Sequence, residues 1–166
     1  LVERQTLDLR PGRYRASVRV RDLGAGTESK AEQSIVVPDY SSVPVGFADL
    51  ELGVVDSLGA FRPLPTRVFG AEVRSLAARA ALFDRRAGVW PRTYTFRYRV
   101  LDEAGGRVQE GTTGVFVGHS AEPVVIRPPS PDLFLGQYVL EVELVEGRSR
   151  WRVERSFEVE ESGAPS

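Results

Sequence analysis

Residues 133–159 read LFLGQYVLEVELVEGRSRWRVERSFEV, and residues 9–37 read LRPGRYRASVRVRDLGAGTESKAEQSIVV. Both carry Leu, Gly three positions on and Tyr two further: Leu9, Gly12, Tyr14 and Leu133, Gly136, Tyr138. The tyrosines lie 138 − 14 = 124 positions apart, and Val18, Val20 and Asp22 then align with Val142, Leu144 and Glu146. On the return segment, Ser34–Val37 matches Ser156–Val159 at an offset of 122, so the first turn is two residues longer. In each copy Tyr opens an apolar/polar alternation of period two, the mark of a half-buried antiparallel strand. The two stretches read as closing hairpins of tandem β-sandwich units, the first lacking its front strands.

The spacing has a physical reading. In immunoglobulin-like sandwiches a Tyr near the start of the penultimate strand returns its hydroxyl to backbone a few residues upstream. Gly12 and Gly136 would relieve the tight approach before that strand. Tyr14 and Tyr138 therefore read as structural corners, with ligand-stacking aromatics as the alternative. The expected fold is all-β, an immunoglobulin/fibronectin-III-like antiparallel sandwich spanning 47–160. Residues 1–38 would be the terminal strands of a truncated unit, 39–46 a proline-stiffened linker and 161–166 a frayed tail. About three strands are too few for a separate core, so 1–38 should dock on the second unit or be loosely held.

The other elements follow from alternation and breakers. Leu1–Leu9 reads as a strand, as do Arg13–Arg21 and Ala31–Val37, the last stopped by Pro38. Phe47–Val55 opens the second unit, and Asp56–Thr66, with Gly59, Pro63 and Pro65, reads as irregular. Residues 71–86, AEVRSLAARAALFDRR, have helical propensity, yet Leu76, Ala78, Ala80 and Leu82 also alternate. Sandwich context favours a strand over about Ser75–Phe83. Tyr94, Phe96, Tyr98 and Val100 make Thr93–Leu101 the clearest strand, followed by a DEAGG hairpin turn. Gly111–Gly118 and Val124–Arg127 read as shorter strands, and Pro128, Pro129 and Pro131 as a stiff connector.

Composition narrows the function classes. A net charge of −1 gives no global bias toward nucleic acid or an anionic membrane. No apolar run approaches the ~18 residues of a membrane helix. The chain lacks Cys, and with it any disulfide or thiolate site. It also lacks Met and opens within a strand-like pattern, so it reads as a segment of a longer protein whose targeting signals lie elsewhere.

Candidate chemistry is sparse, and neither catalytic residues nor a cofactor is expected. His119 is the sole histidine, and its neighbour Ser120 is poorly placed for triad geometry, so a surface loop residue is the expectation. GTTGVFVG and GAGT lack the Lys and strand–loop–helix setting of phosphate loops. Asp22, Asp102, Glu103, Asp132 and Glu146 fall near turns but without calcium-loop spacing. Arg13, Arg15, Arg19 and Arg21 form a basic stripe on one strand face, either a solvated face or a contact for an anion, glycan or protein. The equivalent strand of the second unit presents Glu141 and Glu143, expected to face solvent. Trp151 alternates with Val153 and reads as packing, whereas Trp90 is the more credible exposed aromatic.

With those residues in view the chain resembles the C-terminal β-sandwich region of bacterial GWxTD-domain proteins. It is also similar to the tail of acidobacterial von Willebrand factor A-related proteins. The resemblance rests on LRPGRYRASVRVRD, SIVVPDYS followed by FADLELG, PLPTRVFG, and LGQYVLEVELVEG ending in RSFEVE. The GWxTD sequence and an Asp-x-Ser-x-Ser motif are both absent. The resemblance implies an extracytoplasmic or envelope-associated protein and no catalytic residues. The expected function is a non-catalytic scaffold or protein-interaction module, partnered by a protein or by neighbouring domains. The alternative is a carbohydrate-binding accessory module.

Overall fold

A computed structural model describes residues 7–88, 90–119, 123–129, 132–146 and 149–161. The chain divides into two compact units, Leu1–Val43 and Pro44–Ser166. That boundary falls inside the expected linker, and the first strand of the second unit starts at Val45, two residues earlier than expected.

In the first unit, β1 (Gly12–Arg21) and β2 (Glu28–Val37) form a two-stranded antiparallel sheet. Facing pairs include Tyr14↔Ile35, Ala16↔Gln33 and Val18↔Ala31 on one side, Arg15↔Ser34 and Arg19↔Lys30 on the other. The turn is closed by Asp22, which accepts from the amides of Gly24 and Ala25, and by the Asp22 amide donating to Thr27 O. Leu7–Leu9 is not a strand, correcting that part of the reading; residues 1–6 lie outside the described residues.

The second unit is a two-sheet β-sandwich. One sheet has the order β4 (Phe61–Pro63), β3 (Val45–Val55), β6 (Leu76–Asp84), β9 (Pro123–Ile126). The other runs β5 (Val68–Phe69), β11 (Ser149–Val159), β10 (Gly136–Glu146), β7 (Arg92–Asp102), β8 (Arg107–Val117). All pairings are antiparallel except β5 with β11. The inward sets are those that alternation marks: Tyr94, Phe96, Tyr98 and Val100 from β7, Tyr138, Leu140, Val142 and Leu144 from β10, Leu76, Ala78, Ala80 and Leu82 from β6. Phe47 of one sheet meets Phe96 of the other edge-on, centroids 5.7 Å apart.

Strand β3 needs a bulge to fit this scheme. Val45 and Phe47 are buried, then Leu50, Leu52 and Val54, so the buried parity switches from odd to even. The register slips between Ala48 and Glu51, where Asp49 takes φ 54°. One extra residue at a bulge re-aims all that follow. Asp49 Oδ1 holds the turn by accepting from the Leu50 amide and from Arg155. The Trp151 indole N–H donates to Phe47 O at 2.8 Å, tying β11 to β3.

One expectation is met and two need correction. Residues 71–86 resolve the contest between helix and strand: a short 3-10 turn covers Ala71–Ser75 and the strand runs Leu76–Asp84. Asp56–Thr66 is not wholly irregular, because β4 folds back on β3. β8 is a full eleven-residue strand rather than a short one. The fold-back of β4 depends on Gly53, where a Cβ would strike Arg62 O and the Phe61 ring. Gly53→Ala should therefore cost about 2 kcal/mol, as overpacking does. Urea unfolding checks this; an unchanged midpoint would show that β4 yields freely.

Candidate functional site

A cluster of ionisable groups sits at one end of the sandwich around Asp84. β6 continues its inward alternation into Asp84, whose side chain is fully buried. Arg86, two residues beyond the strand end, turns back with Nη2 2.6 Å from Asp84 Oδ2 and Nε 3.0 Å from Oδ1, and its amide donates to Oδ1 at 2.8 Å. From β7, Arg92 Nη1 donates to Oδ2 at 2.8 Å and the Tyr94 hydroxyl at 2.6 Å. Arg86 also reaches β10, donating to Glu146 Oε1 at 2.7 Å. One carboxylate thus gathers three strand ends.

Burial alone would push the Asp84 carboxyl up. The Arg86 guanidinium, the Tyr94 hydroxyl and the Arg86 amide outweigh it and hold the group well below the usual carboxylate range. The bond to Asp84, then that to Glu146, raises Arg86 above its ordinary value. Burial first, and Asp84 second, push Tyr94 up. Asp84 is thus a satisfied anion and Tyr94 a neutral donor, the arrangement of a clamp: neither is left poised near neutrality as an acid or base.

The two tyrosines of the repeat make the same bond. Tyr14 Oη donates to Arg10 O at 2.8 Å and Tyr138 Oη to Phe134 O at 3.0 Å, each four residues upstream. Gly12 and Gly136 have φ 158° and 147°, a region that side chains rarely adopt. Tyr138 is also buried, stacked on Phe157 at 5.6 Å.

The acidic pair on β10 does not form a free stripe, correcting the expected solvent-facing Glu141 and Glu143. Glu141 is only 5 % exposed. It accepts from Arg99 Nη1 of β7 at 2.7 Å and Arg152 Nη1 of β11 at 3.1 Å, and Glu143 accepts from Arg97 at 3.1 Å. Arg99 continues to Glu110, and Arg152 to Glu154, so charge alternates across four strands. Arginine stems over the sheet bury the carboxylate that they pair. The arginines of β1 differ: Arg19 meets Glu28, while Arg13, Arg15 and Arg21 have no ion pair among the described residues.

Trp90, expected exposed, is half-buried against the core, beside Tyr94 and under the Arg92 guanidinium at 5.2 Å. Trp151 is likewise packed. His119 is exposed just beyond β8, and Ser120 lies outside the described residues. Of the turn carboxylates, Asp102 accepts from the Gly106 amide, Glu146 pairs with Arg86 and Asp132 lies 3.9 Å from Arg74. Among the described residues there is no grouping of three or more His, Asp or Glu able to hold a metal. A shallow groove of about 320 Å³ lies over Arg97, Arg99, Glu110, Gly111 and Thr112, but both arginines are engaged in the ion ladder. The sequence matches no protein-family model and no curated protein.

Sequence reasoning passed over Asp84, Arg86, Arg92 and Tyr94 as a group. The available signal was parity: Asp84 continues the inward set Leu76, Ala78, Ala80, Leu82, and an inward carboxylate demands partners.

The clamp and the corner can each be tested by one substitution. Asp84→Asn should cost about 3 kcal/mol at neutral pH by removing the buried anion that Arg86 and Arg92 share. The folded carboxyl titrates below the ordinary 3.8, so its stabilisation is complete above that value and fades as pH falls below it. Urea unfolding should show the gap between variant and parent narrowing toward about pH 2.5; a gap independent of pH would contradict the clamp. Tyr138→Phe should cost about 1 kcal/mol with an unchanged m-value, from the lost hydroxyl bond. A loss within about 0.3 kcal/mol would show that the bond contributes nothing.

Proposed function

We propose that the chain is a non-catalytic β-sandwich module serving as scaffold or protein-interaction domain within a larger bacterial, extracytoplasmic protein. The observation that carries this is how the second unit spends its polar chemistry. Asp84, Arg86, Arg92, Tyr94, Glu141 and Glu143 are all engaged with one another or with neighbouring strands. The strand order β3-β6-β9 against β8-β7-β10-β11, with β5 joining β11 in parallel, supports an immunoglobulin/fibronectin-III-like reading. Tyr138 at the start of the penultimate strand supports it too. The resemblance to GWxTD-domain and von Willebrand factor A-related proteins supplies the envelope context. The glycan-binding alternative has less support, because both tryptophans are committed to packing.

Thermal unfolding of residues 44–161 tests this reading. They should melt in one cooperative transition that soluble polysaccharides leave unmoved, since a ligand bound only to the folded state would raise it. A saturable upward shift abolished by Trp90→Ala would move the assignment to glycan binding. A fragment without a cooperative transition would overturn the module itself.

A further inference from the structure

The four strands that end the two sheets of the second unit are unequal. β4 is three residues long and closes on Pro63, β9 is four long and opens on Pro123, and β5 is two long. Short edges and edge prolines are devices that keep a sheet from adding strands. β8 has neither: it runs eleven residues without proline, and among the described residues it pairs only with β7. In the chain it lies between β7 and β9, both parts of the same sandwich. Its charges, Arg107 and Glu110, sit in its first four residues, and Glu110 is paired with Arg99 and Arg107. The rest, Gly111–Val117, reads GTTGVFV and carries no charge. Phe116, on its outer face, is 69 % exposed.

Gly114 marks what covers this edge. Glycine weakens a strand interior, and where no bulge needs it, it signals the close approach of another group. At Gly111 that group is in the same chain, because a Cβ would strike the Tyr98 hydroxyl. At Gly114 nothing in the chain asks for glycine. Its φ is not positive, its register against Thr95 is regular, and a Cβ would only touch Thr93 Cγ2 at an ordinary 3.7 Å. Gly114 is also the midpoint of the neutral stretch. Resting on the interaction-module reading, we propose that β8 pairs antiparallel with β8 of a second copy of this chain, about a two-fold axis at Gly114. A two-fold contact must be self-complementary, and this one is. Thr112 then faces Phe116 on the outer side and Thr113 faces Val115 on the inner. The bare backbones meet at the axis, with both Phe116 rings diagonal to them and within aromatic reach. Glu110 falls outside the paired stretch, so no like charges face each other. A charged partner strand would find nothing to read in GTTGVFV, whereas symmetric pairing needs no charge.

Sedimentation equilibrium of the full chain, with amide exchange along β8, tests this. The chain should pass from monomer to dimer between about 1 μM and 1 mM, and dimerisation should slow exchange of the β8 amides that do not bond β7. Gly114→Lys and Gly114→Glu suit the monomer, where a Cβ has room, but each sets like charges together on the axis. Each should weaken dimerisation at least about tenfold. An equimolar mixture of the two should recover it as a Lys–Glu heterodimer, a rescue that damage to the fold would not allow. A monomer at every concentration, a dimer that leaves β8 amides unprotected, a dimer indifferent to Gly114→Lys, or a mixture no tighter than the single variants would each overturn the proposal. Failure here with cooperative melting of residues 44–161 would leave the module reading standing.

Discussion

Strand β10 has two faces, and both must be satisfied at once. Alternation sends Tyr138, Leu140, Val142 and Leu144 inward and Glu141 and Glu143 outward. As the central strand between β7 and β11, it draws an apolar cover from the opposite sheet and cationic partners from its neighbours. Arg97 and Arg99 sit directly opposite Glu143 and Glu141 in the register. A slip by one residue would put the carboxylates into the core and the leucines against the arginines. The ion ladder therefore specifies register beyond what its individual pairs, each worth about 0–1 kcal/mol on a surface, add to stability.

The clamp at Asp84 closes the end of the same core. The inward set of β6 ends on a carboxylate, where the sheets leave room for guanidinium groups from beyond the strand end. Burying that anion is tolerable only because Arg86, Arg92 and Tyr94 all donate to it. Tyr94 uses its ring in the core and its hydroxyl at the boundary, the division of labour for which buried tyrosines suit. Together with Trp151, which donates to Phe47 O at the edge of β3, these groups fasten the sandwich where hydrophobic contact runs out.

What could be read from the residues and what could not divide along physical lines. Periodicity revealed the hairpins, the two-residue difference in their turns and the inward set of β7, because alternation is local. For 71–86 alternation and helix propensity competed, and sandwich context rather than periodicity favoured the strand that is found over Leu76–Asp84. The bulge at Asp49 was invisible because one inserted residue breaks parity without a glycine or proline to mark it. The partners of Glu141 and Glu143 were missed because they depend on which strands become neighbours, and Arg97 lies 46 residues from Glu143. Trp90 looked exposed for the same reason: its packing under Arg92 follows from the turn into β7, not from its flanking sequence.

The repeated hairpin isolates the role of cover. The two copies share register, the Tyr-to-backbone bond and the glycine, yet in β10 the apolar face is buried and in β1 Val18 and Val20 are exposed. A two-stranded hairpin alone is marginal in water, so neighbours rather than the hairpin's own bonds should set its stability. Native-state hydrogen exchange on the intact chain tests this most directly, comparing β1 amides bonded to β2 with the equivalent β10 amides bonded to β11. The β10 amides should exchange at least about a thousandfold more slowly. Equal protection of the two sets would show that the hairpin sustains itself, and that cover by a second sheet is not what holds this fold.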